Sequence, residues 1–96
     1  MAVGFVLDFA NMGQDKYDAV MKELRLGIGS NANWPEGIVT HVAGKTPGGW
    51  CVVDVWESEA AFGKFRETHL GPAMAKVGGI PEPRVTTFQL YNRFPR

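Results

Sequence analysis

The chain has 96 residues, 45% of them hydrophobic and 21% charged, which is enough for one hydrophobic core and too little for two domains. Its 10 acidic and 10 basic residues cancel, so no global field draws in nucleic acid or an anionic membrane surface, and neither is expected as a partner. A single cysteine, Cys51, excludes an intrachain disulfide and a CxxC metal or redox motif; it reads as a small buried strand residue.

The opening MAVGFVLDFA is apolar but has no basic leader, is interrupted by Asp8 and is too short to span a bilayer, so a soluble cytoplasmic protein is expected. Within it Val3, Phe5, Leu7 and Phe9 alternate with Gly4, Val6 and Asp8, the period of a strand whose second face is also partly apolar. Tyr17, Val20, Met21, Leu24 and Ile28 then recur at helical spacing, with Asp15, Lys16, Lys22, Glu23 and Arg25 on the opposite face and Gly27 and Gly29 expected to stop the helix. The stretch SNANWPEG is a loop carrying Trp34, and it delivers the chain to a short strand over 38–43. Thr46-Pro47-Gly48-Gly49 reads as a hairpin turn into a strand over 50–57, where Trp50, Val52, Asp54 and Trp56 alternate with Cys51, Val53 and Val55.

Ser58 stands at a helix N-cap position, Glu59 places a carboxylate in the positively polarised first turn, and Phe62, Phe65 and His69 recur at helical spacing. Leu70-Gly71-Pro72 should bend or interrupt that helix before a last turn to about Val77, because Pro72 cannot donate a helical hydrogen bond. A Gly-Pro loop over 78–83 leads to a fourth strand over 85–94, with Val85 and Tyr91 on one face and Phe88 and Leu90 on the other. The order βαββαβ predicts an α+β, ferredoxin-like fold: one four-stranded antiparallel sheet with both helices on one face. Strands apolar on both faces leave the helix-free face needing a cover of comparable apolarity, and the simplest is a second copy, so a homodimer is expected.

A strand closing on Val-Trp-Glu-Ser, the helix start Glu-Ala-Ala-Phe and the Leu-Gly-Pro-Ala exit, in this βαββαβ order, resemble the dimeric α+β barrel superfamily. Within it the chain is similar to the small proteins related to antibiotic biosynthesis monooxygenases, over nearly its whole length. The resemblance implies a pocket between helices and sheet, and a superfamily that holds cofactor-independent quinol and anthrone oxygenases, haem degraders and polyketide cyclases. It also exposes departures. The oxygenases commonly carry an asparagine four residues before the strand tryptophan, where this chain has Val52; the helical tryptophan and iron-ligating histidine of the haem degraders fall on Lys64 and Ala75; the tyrosine of the plant cyclase falls on Phe65.

With such a pocket, His69 is the leading candidate base, on the inner helical stripe beside Phe62 and Phe65; its alternative is to cap exposed carbonyls at a helix end. His41, on the short second strand between Thr40 and Val42, is the second candidate, its facing undecided by sequence. Trp56, Phe62, Phe65, Asp54 and Trp34 are the candidate ligand-binding residues: aromatic walls suit flat phenolic rings, and Trp34 sits in a loop able to act as a lid. Core or interface packing accounts equally well for Trp56 and better for Trp50. A carboxylate amid an apolar strand needs a partner, and Arg84 or Arg93 would serve Asp54 in an ion pair, while Lys64 and Arg66 belong to the solvated helix face. Two histidines without close spacing or a third ligand give no metal site. The expected function is a cofactor-independent monooxygenase acting on a small aromatic quinol, anthrone or phenol, with no metal, flavin or other cofactor. The alternatives are a cyclase, or a non-catalytic protein that binds a small hydrophobic molecule or only dimerises.

Overall fold

In the computed structural model, which describes residues 2–27 and 33–94, the hydrogen-bonded strand order is β2-β3-β1-β4. Strand β1 (Val3–Ala10) lies between β3 (Gly49–Trp56) and β4 (Arg84–Gln89), and β2 (Ile38–Thr46) flanks β3; every pairing is antiparallel. The register sets Val3, Phe5, Leu7 and Phe9 opposite Trp56, Asp54, Val52 and Trp50, so the bulkiest side chains of both central strands share one face. That face is the core, and all eight of those residues are buried. Helices α1 (Gln14–Leu24), α2 (Glu59–Phe65) and α3 (Gly71–Val77) cover it. The ferredoxin-like reading therefore holds, and the structure contains one chain.

Element boundaries differ from the sequence expectation for identifiable reasons. Helix α1 ends at Leu24 because Arg25 adopts a left-handed conformation at φ 61°, and the N–H of Leu26 reaches back to the Met21 carbonyl. This reversal buries Leu26, so core burial, rather than Gly27, stops the helix; Ile28 lies outside the described residues, as do Ser30–Ala32 of the expected lid. Strand β2 runs to Thr46, three residues past expectation, because the two-residue turn at Pro47-Gly48 keeps it paired with β3 as far as Thr46 and Gly49. Gly49 is required there: a Cβ would lie 2.0 Å from the Phe9 carbonyl oxygen. Strand β4 stops at Gln89, and Tyr91 and Phe94 beyond it are fully exposed.

Two irregularities shape the space under the helices. Ile38 pairs with Trp56 while Thr40 pairs with Val55, so β2 carries one extra residue, a β-bulge. The bulge turns both Ile38 and His41 to the helix side, positions that an unbroken strand would send to opposite faces. In the second irregularity, α2 passes without a break through a π-helical turn (Arg66–Leu70) into α3, and the Gly71 N–H bonds the Arg66 carbonyl five residues back. Pro72 neither donates a helical hydrogen bond nor tolerates the carbonyl four residues before it, and the wider turn relieves both constraints while preserving the helical path. The expected interruption is thus an insertion. It advances the inward stripe from Phe62 and Phe65 to Leu70, Ala73 and Met74, and His69 rotates outward.

The opposite face of the sheet has no helix on it among the described residues. Val6, Cys51 and Val53 are half-buried, Val42 and Phe88 are exposed, and the Phe88 ring lies over Gly4, where a Cβ would come within 2.1 Å of it.

Gly63 sits within α2 where a Cβ would meet no atom inside 4 Å, so it carries the backbone entropy of glycine without a packing reason. Gly63→Ala is expected to raise the urea-unfolding free energy by about 1 kcal/mol. Gly49→Ala, forced against the Phe9 carbonyl, is expected to lower it by about 1–3 kcal/mol; equal effects of the two substitutions would contradict this packing.

Candidate functional site

Between the helices and the inner sheet face lies an apolar cavity of about 530 Å³, walled by Phe5, Leu7, Val52 and Trp56 from the sheet, Val20 and Met21 from α1, and Phe62 and Leu70 from the second helical segment. Its buried charged group is Asp54. Asp54, in the middle of β3, is 7% exposed, and an unpartnered carboxylate there would cost several kcal/mol. Both of its oxygens are used. His41 Nδ1 lies 2.5 Å from Oδ1, and the Trp56 indole N–H donates to Oδ2 at 3.3 Å. On the far side of the imidazole, Nε2 lies 2.6 Å from the Tyr17 hydroxyl on α1.

The chemistry of the partners assigns the protons. A carboxylate only accepts, so His41 Nδ1 carries hydrogen and donates to Asp54; with the ring neutral, Nε2 accepts and the Tyr17 O–H donates to it. Burial, with smaller contributions from the negative charges of Asp54 and Asp18, pushes the Tyr17 phenol up to about 12, which keeps it protonated and in the donor role at neutral pH. The three residues form a line, Tyr17 to His41 to Asp54, with a lone pair of the Tyr17 oxygen still able to accept a hydrogen bond. Aromatic rings enclose it: Trp34 tilts over His41 at 4.8 Å, and Tyr17 packs on Trp50 at 5.2 Å.

The structure gathers most of the sequence candidates in this one cavity. His41, Asp54, Trp34, Trp56, Phe62 and Phe65 all line it. His69 does not: the π turn leaves it exposed, edge-on to Phe65 at 5.9 Å, in a separate groove with Glu23, Asn33 and Lys76. Asp54 is paired with His41 and not with Arg84 or Arg93; Arg84 sits opposite Asp8 on the last strand pair. Arg66 is exposed, as expected of a helix surface, yet it also lines the cavity. Cys51 lies half-buried in β3, paired across from Asp8, and burial followed by that carboxylate holds its thiol up and protonated. Sequence reasoning placed Tyr17 on an apolar stripe and missed its hydroxyl, although a phenol on a buried face normally needs a polar partner. Among the described residues no cluster of three or more His, Cys, Asp or Glu side chains is arranged to hold a metal ion, and no helix is long and apolar enough to cross a membrane.

No protein-family profile matches the chain, and no curated protein matches it by sequence. Solved structures do match its fold. SnoaB, a cofactor-independent oxygenase from Streptomyces nogalater, aligns with a TM-score of 0.68 over 99% of this chain and 98% of its own, at 16% identity. A candidate antibiotic biosynthesis monooxygenase from Chloroflexus aurantiacus aligns with the same TM-score, 0.68, at 16% identity, over 97% of this chain and 96% of its own. A conserved protein from Methanosarcina mazei aligns at 0.63 and 13% identity over 93% and 92%. The chain has the fold of the antibiotic-biosynthesis-monooxygenase-like proteins, and at these identities the likeness speaks for the fold alone.

The raised phenol has a consequence for stability. The unfolded chain loses the Tyr17 proton near pH 10 and the folded chain near 12, so the folded state binds more protons between those values and its stability falls as pH rises through them. Urea unfolding of the wild type is expected to weaken more steeply from pH 10 to 12 than that of Tyr17→Phe; parallel slopes would show that the phenol is not held in this environment.

Proposed function

We propose that the chain is a cofactor-independent monooxygenase acting on a small hydroxyaromatic molecule of the quinol, anthrone or phenol type, with His41 as its base. The observation that carries this reading is the Tyr17–His41–Asp54 line, set in an apolar cavity large enough for a small aromatic molecule. The substrate gives its acidic proton to His41 Nε2, directly or through the Tyr17 hydroxyl, and Asp54 stabilises the imidazolium that forms. The resulting carbanion or enolate gives one electron to dioxygen, and the radical pair closes a C–O bond. His41 then returns its proton to the peroxide, which loses water to leave a carbonyl, so one oxygen atom enters the product and the other leaves as water. Trp34 and Phe65 hold the ring and keep the anion from bulk solvent, with Phe62 and the fully buried Trp56 packed behind them. Dioxygen is the oxidant, and the proposed steps use no metal or flavin.

Oxygen uptake with a panel of anthrones, dihydroquinones and catechols tests the assignment. His41→Asn is expected to lower the rate tenfold or more, equivalent to about 1.4 kcal/mol of transition-state stabilisation, and His69→Ala to leave it within about twofold of wild type. Loss of activity in the His69 variant, with the His41 variant active, would overturn the choice of base. No uptake above the uncatalysed rate across the panel would leave a binding protein.

The same reading includes a homodimer formed through the helix-free sheet face, where Val42, Val53 and Phe88 supply apolar surface. Light scattering is expected to give twice the 10.5 kDa chain mass, and Val53→Glu, central on that face, to reduce it to the single-chain mass. A wild type that scatters as a single chain at micromolar concentration would refute the dimer.

A further inference from the structure

We infer that the substrate carries a carboxylate, or an anionic group of the same shape, and that Arg66 binds it, making this cavity a site for a hydroxyaromatic acid. The inference rests on the cavity's being a substrate site and adds the class of substrate. Arg66 opens the π-helical turn, and its guanidinium lies 5.5 Å over the ring of Phe62, which is itself 5% exposed and part of the cavity wall. That stacking orients a flat five-donor group at the edge of an apolar space.

Among the described residues, no acid neutralises it. The ion pairs there are His41–Asp54 and Lys76–Glu23; Glu59 and Glu82, the other carboxylates on the cavity wall, do not come within ion-pair distance of Arg66. Asp54 is committed through both oxygens to His41 and Trp56. Room for a ligand group exists beside the guanidinium. Gly63 lies one helical turn before Arg66, on the same face and on the cavity wall, and a Cβ there would meet no atom within 4 Å. An arginine fork next to an unfilled stretch of wall suits a planar carboxylate, which it can bind through two parallel hydrogen bonds. Two ring contacts of 5.5 Å each, Arg66 on Phe62 and Phe62 against Trp56, separate this point from the indole that donates to Asp54, so the acid group and the hydroxyl of the substrate belong at opposite ends of its ring system.

Tryptophan-fluorescence titration at pH 7 with 2-naphthol and 6-hydroxy-2-naphthoate, which differ by a carboxylate at the far end of the ring system, tests this without reading turnover. Wild type is expected to bind the acid at least about fivefold more tightly, a modest factor because Arg66 is solvent-exposed. Arg66→Gln is expected to abolish the preference while leaving 2-naphthol binding unchanged, and Arg66→Lys to keep part of it; thermal melting verifies that each variant is folded. Equal binding of the two probes by wild type, an undiminished preference in Arg66→Gln, or no binding of either probe would overturn the inference. An Arg66-dependent preference without oxygen uptake would remove the oxygenase reading alone, and oxygen uptake without the preference would remove the anion subsite alone.

Discussion

A carboxyl group placed in the middle of an apolar sheet face, as Asp54 is, has to be surrounded by donors before the chain can close over it. The donors come from two strands: the His41 imidazole from β2 and the Trp56 indole from β3 itself. Once His41 has given Nδ1–H to the carboxylate, its half-buried ring turns Nε2 toward α1, where the Tyr17 hydroxyl meets it. One buried charge therefore orients a histidine, a tryptophan and a tyrosine, and ties a helix to the sheet through side chains. The same chain of obligations leaves a basic nitrogen facing a phenol inside an apolar space, so the device that satisfies the core is also the chemically able part of the cavity.

The cavity owes its shape to two departures from regular geometry. Without the extra residue in β2, Ile38 and His41 would face opposite sides of the sheet, and the imidazole could not meet Asp54 while Ile38 packed in the core cluster around Trp56. Without the π turn, the helix would turn His69 inward and Leu70 away. The turn follows from Pro72, whose missing N–H and bulky ring make a regular α-helical turn costly at that point. Each irregularity lies at the cavity wall, where π turns and bulges are commonly used to re-aim side chains.

The face of the sheet away from the helices has the opposite character. It has no buried polar device among the described residues; Phe88 fills the space over Gly4, Val42 remains open to solvent, and exposed Asp8, Arg84 and Thr86 share the face with them. Cys51 sits on that face, half-buried, with its thiol pushed up by burial and by the Asp8 carboxylate. The two faces thus differ: the inner one borders a ligand-sized space, and the outer one carries no helix among the described residues.

Strand and helix identity, the βαββαβ order and the Ser58 cap were readable in the sequence because they depend on period, parity and local hydrogen bonding, which neighbouring residues determine. The Ser58 oxygen does accept the Ala61 N–H, and the aromatic stripe of Phe62 and Phe65 does face the core. The need of Asp54 for a partner was equally plain from its setting among Val53, Val55 and Trp56. The identity of that partner was not, because it depends on strand register and on a bulge, both fixed only when β2 and β3 pair over the whole hairpin. Tyr17 and His41, 24 positions apart, meet only when α1 docks on the sheet, and no local pattern encodes that distance. His69 illustrates the converse: its spacing from Phe65 is correct for a regular α-helix, and one inserted residue, required by a proline three positions later, is enough to turn it to solvent.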